Sequence, residues 1–424
     1  MSTKTNWSKS GAKPTQRVNS HKMQTMWKLL GGCLIALILY GCNQLSQSDT
    51  ASLSRGRPFI TKWKAEAGQE LKIPILGTYT LTWYNETTPD ERHTEQVTVT
   101  TSVNDVGEAI AAPYIFTPPT DGVYVVEAGP EGVEGMLMWF DKSNKFAKTL
   151  LSVVRFGDVV WKRLDSAFYW CYFMKFDSEI DTPNLSQCTS LEATFAGCRR
   201  FDAPLGHWDV SNVTNMERMF YSCTAFNQNI SGWNVSNVTN MKALFASCDS
   251  FNQPLENWDV SNVTNMEEMF ANSFRFNQPL ERWDVSRVSN MSKMFLGCHE
   301  FNQPLNSWNV GKIEDMSCLF NECYEFNQPL DKWDVSQVTN TCSMFADCYK
   351  FNQPLNSWNV SNVEWMRLMF QNCVAFKQSL DAWDISKASS KNGSFEACPA
   401  AKLPFLKKWK AQYGDFDDQS AEDD

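Results

Sequence analysis

Apolar and polar positions between residues 201 and 398 repeat every 25 residues. Phenylalanine recurs at Phe201, Phe226, Phe251, Phe276, Phe301, Phe326, Phe351 and Phe376. Tryptophan follows seven residues later each time, at Trp208, Trp233, Trp258, Trp283, Trp308, Trp333, Trp358 and Trp383. A fixed period of this length marks stacked coils, none of which can bury its apolar side alone. The unit reads F-N-Q-P-L-x-x-W-D/N-V-S-N-V-T-N-M-x-x-M-F-x-x-C-x-x, and two spacings alternate within it. Trp208 and Val210 share one face of a short strand, with a period of two. Val213, Met216, Met219, Phe220 and Cys223 recur at three and four, which predicts one or two amphipathic helical turns. Thr214 and Glu217 resemble a capping box at the start of that helix. Pro204 and its copies turn the chain into the strand. The expected fold is therefore mainly a solenoid, an α/β stack of 25-residue coils, each a short parallel strand plus a short helix, cored by the Phe and Trp columns.

Upstream the texture changes. Runs such as Tyr79–Tyr84, Gln96–Thr100 and Val123–Val126 alternate apolar and polar residues between Gly, Pro, Asn and Asp, the pattern of short antiparallel strands. Residues 58–149 are expected to form a small β-sandwich, and residues 150–398 the solenoid. In the lead-in to the repeats, Phe176, Ile180, Leu185, Phe195 and Cys198 already stand in register with Phe201, Leu205, Val210, Phe220 and Cys223. Residues 399–424 are expected to cap the last coil through Leu403, Phe405, Leu406 and Trp409 and to end in an acidic tail.

The N-terminus carries an export pattern. Leu29–Leu39 is almost wholly apolar but too short to span a bilayer, which suits a signal-peptide core. The ending Leu39-Tyr40-Gly41-Cys42 resembles a bacterial lipobox. That resemblance implies a signal over residues 1–41 and Cys42 as a lipid-anchored first residue. The polar residues before Met26 are unusual for a signal, and a start at Met26 would give a compact one. A polar tether is expected over 42–57. The chain has 424 residues and a formal net charge of −10, an acidic balance that argues against a nucleic-acid partner.

Candidate chemistry is sparse. Cysteines form a column, Cys198, Cys223, Cys248, Cys298, Cys323, Cys348, Cys373 and Cys398, with Ser273 in one place. Parallel side chains beside Phe and Met point to packed thiols rather than disulfides. Cys318 and Cys342, on adjacent coils and one residue out of register, are candidates for an exposed disulfide. No CxxC pair exists, and the four histidines are scattered, so no metal site is read. The Asp209 column, Asp or Asn in every coil, suits hydrogen bonding to turn N–H groups, and the Asn227-Gln228 copies can bond along the stack. Neither a phosphate loop nor a G-x-S-x-G motif occurs, so no enzyme and no cofactor is expected.

The repeated W-D-V-S-N-V-T-N-M and F-N-Q-P-L segments resemble the repeat of BspA-like leucine-rich-repeat bacterial surface lipoproteins. The preceding domain is similar in position to a PKD-like domain, although its W-G-D-G-T turn is absent. The resemblance implies a lipid-anchored protein of the bacterial cell envelope, on the outer membrane or cell surface. It implies adhesion or protein binding, with host matrix proteins or surface glycans as partners, and a membrane contact through the N-terminal lipid. The alternative is a structural spacer or coat without a dedicated ligand. Partner-binding residues are not singled out, but the variable exterior pairs Gly206-His207, Glu256-Asn257, Glu281-Arg282, Asp331-Lys332, Glu217-Arg218 and Glu267-Glu268, with Arg367, differ between coils while the interior does not.

Overall fold

Alternation of apolar and polar residues builds the first half into strands. β1 (Phe59–Ala65) and β3 (Ile75–Asn85) bury every second side chain over most of their lengths. They join β4 (His93–Val99), β8 (Gly122–Ala128), β10 (Leu150–Arg155) and β11 (Lys175–Phe176) in one sheet of order β11-β10-β1-β8-β3-β4, with β9 (Val133–Met136) also paired to β3. Its pairings are antiparallel except β10 with β11. Two ribbons complete the region, β2 (Leu71–Ile73) with β7 (Tyr114–Phe116) and β5 (Thr101–Val103) with β6 (Ala109–Ala111). The computed structural model describes residues 56–103, 109–138, 146–414 and 416. The expected signal, the anchor Cys42 and all but the last two residues of the tether lie outside these residues.

In place of a sandwich of two comparable sheets, one dominant mixed sheet carries the region, and its strands come from both sides of residue 150. The α/β solenoid of strand-plus-helix coils is also overturned. Among the described residues the one α-helix is α1 (Pro404–Tyr413), outside the repeats. Each 25-residue unit holds a single parallel bridge instead of a strand, as in Asn215 to Asn240, Asn240 to Asn265 and onward to Ser390.

Backbone hydrogen bonds show why no helix forms. From Met216 to Cys223 alternate N–H groups go to different places. Met216, Arg218, Phe220 and Ser222 donate to carbonyls of Asn240, Lys242, Leu244 and Ala246 in the next unit, at 2.8–3.0 Å. Met219, Tyr221 and Cys223 donate three residues back, to Met216, Arg218 and Phe220. Consecutive tight turns thus point Met216, Met219, Phe220 and Cys223 inward at helical spacing without a helix. Two residues per unit take the left-handed conformation, Arg218 (φ 55°) and Ser222 (φ 56°) here. The presumed capping pair is reassigned. Glu217 N–H bonds Asn215 Oδ1 at 3.0 Å, and Thr214 Oγ1 donates to Thr189 O, 25 residues back.

Residues 56–424 form one compact unit, and one apolar core runs through it from Phe59 to Phe416. Phe156 meets Trp208 edge-on at 5.6 Å, joining the sheet region to the first units.

Candidate functional site

The interior columns are built to be identical, so they leave function to the outside. Trp208, Trp233, Trp258, Trp283, Trp308, Trp333, Trp358 and Trp383 are all buried, as are Phe201, Phe226 and Phe251. Each indole after the first also donates its Nε1–H to a carbonyl of the preceding unit, for example Trp283 to Leu255 at 3.0 Å and Trp383 to Leu355 at 2.8 Å. The cysteine column works likewise. Cys223 Sγ donates to Phe195 O at 3.0 Å, Cys323 to Phe295 at 3.0 Å and Cys373 to Phe345 at 2.8 Å. Ser273, the exception, makes the same bond to Phe245 at 2.6 Å. The column therefore selects a small buried donor, which the apolar-thiol reading missed. Burial pushes these thiols well up, Cys398 to about 11, so they are poor nucleophiles.

Polar columns complete the stitching. Asn227 Oδ1 accepts from Asn252 N–H and Gln253 Nε2, both at 3.0 Å, and the pattern repeats through Asn352. Asp209, Asp284 and Asp334 accept from the N–H two residues on, at Ser211, Ser286 and Ser336. Those serine contacts, hydroxyl first, hold the carboxylates below the usual range. Among the described residues no group of carboxylates, thiols or imidazoles could hold a metal. Cys318 and Cys342 are free thiols, half-buried.

The variable exterior pairs divide. Gly206, His207, Glu281, Arg282, Asp331, Lys332 and Arg367 are exposed, as is Asn257 beside half-buried Glu256. The others are engaged in ion pairs, Glu217 with Arg218 at 3.0 Å, Glu267 with Lys242 at 2.8 Å and Glu268 with Lys293 at 3.0 Å.

A feature the sequence reading passed over lies at the position after each core cysteine. There Phe274, His299, Tyr324 and Tyr349 occupy four successive units. Their rings stack at 4.6, 4.3 and 4.9 Å with interplanar angles of 17°, 14° and 10°. Phe274 and Tyr349 are exposed, and Val374, next in the column, is 57% exposed. Acidic groups border the rings. Glu322 carboxylate lies 3.8 Å from His299 Nε2, Tyr349 hydroxyl meets Asp347, and Lys350 pairs with Glu325. Partial burial and the charge of Glu322 raise the Tyr324 phenol. The signal was readable, since four planar side chains 25 residues apart at a non-core position is a column in itself.

The family described as "Mycoplasma protein of unknown function, DUF285" matches residues 162–273, 230–317, 251–345 and 306–409, more than half of the chain. The chain belongs to the DUF285 family. The overlapping matches show a repeat protein, and DUF285 spans the turn-built units with the start of α1 while leaving most of the sheet region outside. No curated protein and no solved structure matches the chain.

Proposed function

We propose that this DUF285 protein is a lipid-anchored surface protein of the BspA-like kind, whose stacked units bind a protein partner outside the cell. Cys42 would carry the lipid at the bacterial envelope, and the sheet region would stand in the place of a PKD-like domain. Host matrix proteins are the first partners to test. The observation that supports this reading is the aromatic ladder Phe274-His299-Tyr324-Tyr349, exposed at its two end rings and half-buried at the middle two, on a framework whose repeated Phe and Trp columns are buried. Exposed contiguous apolar surface of this kind favours association, and aromatic side chains dominate interface energetics. A glycan platform is less favoured, because the rings cover one another's faces and leave only their edges to a sugar.

The test has two arms. Impermeant biotin should label the protein on intact cells, and Cys42→Ser should release it from the membrane fraction. Immobilised matrix proteins should then retain the purified chain but not a Phe274→Ser/Tyr349→Ser variant. Retention of both equally would remove the ladder from the function. Surface labelling without any saturable partner would favour the spacer or coat.

A further inference from the structure

A cavity of about 530 Å³ opens on the first units, within the size range of ligand pockets. It exists because one unit carries small residues where its neighbours carry large ones. Backbone bonds from Trp170 to Ala196 and from Gly197 to Tyr221 align Tyr169, Ala196 and Tyr221 in one column. Buried Ala196 therefore leaves a notch between two tyrosines, both of which line the cavity.

The charges beside it do not balance. Bonds from Ser166 N–H to Glu192 O and from Ala193 N–H to Glu217 O align Asp165, Glu192 and Glu217 on successive units. Arg163 Nε lies 3.5 Å from Asp165, and Arg218 Nη1 lies 3.0 Å from Glu217. Glu192, between them, accepts only an amide bond, from Asn215 Nδ2 at 3.1 Å. No cation lies within ion-pair distance of it among the described residues, and it is exposed at the surface. Partial desolvation raises Glu192 and Asp165; the charges of Glu217 and Asp165 raise Glu192 further, while the Asn215 bond and the charge of Arg218 oppose the rise. Asp165 Oδ1 is closed from solvent without a hydrogen-bond partner. The lining carries Arg163 and Arg218 against Asp165 and Glu192, but Arg163 is engaged by Asp165 and Arg218 by Glu217, which is not among the lining residues. Glu192 is thus the charge left without an ion pair, and the cavity suits a cation rather than an anion.

We propose that this cavity binds a primary alkylammonium group, the chemistry shared by a lysine side chain and a small free amine. Glu192 is its counter-ion and Tyr169 and Tyr221 its aromatic walls. An ammonium supplies the donors that a carboxylate lacks here, and ring faces attract it further. The site is independent of the aromatic ladder and of any partner that the ladder holds.

Isothermal titration of the full chain with butylammonium and with Nα-acetyl-lysine methylamide tests it. Saturable binding of both is expected if the amine alone is recognised, and of the lysine derivative alone if a protein side chain is the source. Choline, which has no N–H donor, and the Nε-acetylated lysine derivative should bind about tenfold more weakly or worse. Glu192→Gln should weaken binding about tenfold or more. Ala196→Leu should block the notch with the near-ultraviolet circular dichroism unchanged. Absence of saturable heat with both amines overturns the proposal. So does equal binding by Glu192→Gln, or equal binding of the acetylated probe.

Discussion

Replacing Trp283 by alanine removes a buried ring and an indole bond to the preceding unit together. The expected cost is about 3–5 kcal/mol, read from denaturant unfolding. Trp283→Phe separates the two effects. Leu255 O keeps the N–H of Trp258 at 3.0 Å, so losing the indole bond should add only about 0.5–1.5 kcal/mol to the loss of volume. In the thiol column, Cys323→Ser should cost less than Cys323→Val, because Ser273 shows that a hydroxyl satisfies the same phenylalanine carbonyl. Folded protein should react with maleimide at Cys318 and Cys342 before any of the buried cysteines. The aspartate column predicts a pH response. At Asp209, Asp284, Asp334 and Asp384 the folded-state pKa is depressed, so their contribution is fully present above the ordinary carboxylate value. It is lost as pH falls through the lower folded values. Acid unfolding of Asp284→Asn should depend less on pH there, as Asn234 already makes the same turn bond uncharged.

At the scale of the element, each unit stores strain in two left-handed residues four apart, such as Ala243 (φ 50°) and Ser247 (φ 58°). That conformation costs an L-residue roughly 1–2 kcal/mol. Glycine stands at the place of Ser247 in Gly197 and Gly297, and at that of Ala243 in Gly393, so both positions tolerate it. Ser247→Gly should be neutral to stabilising by about 1 kcal/mol once the entropy of glycine is subtracted. Ser247→Val should destabilise, since a β-branched residue resists φ > 0. These residues also explain what the sequence could and could not show. The period and the inward columns were legible, because burial repeats whatever the backbone does. The local conformation was not, since Val213, Met216, Met219, Phe220 and Cys223 have helical spacing whether a helix or a run of turns carries them. What separates the two is where the N–H groups go, and half of them cross to a unit 24 residues away. The aromatic ladder was legible, but the notch at Ala196 was not, because it depends on the tyrosines of two other units.

For the molecule as a whole, the stacked units must be closed at the end or they will find one another. An interior unit hands its N–H groups to the next, as Leu368 does to Asn392 and Phe370 to Ser394. The last unit has no successor, and the C-terminal segment takes its place. Gly393 N–H bonds Phe416 O at 2.9 Å, Trp409 stacks on Trp383 at 6.3 Å, and Phe405 packs edge-on to Phe395 at 5.9 Å. Phe405, Leu406 and Trp409 are the buried side of α1, so the helix is a lid over the aromatic columns. Removing residues 404–424 should uncover Trp383 and Phe395 and leave the Gly393 N–H unpaired, a surface ready to associate with another chain. Sedimentation velocity should show concentration-dependent association of the truncated chain, against a monomeric full-length chain. Trp409→Ala should weaken the last unit without wholly exposing it, lowering the unfolding temperature with little association. A truncated chain that stays monomeric, with an unchanged melting curve, would mean that the last unit closes itself and α1 merely rests on it.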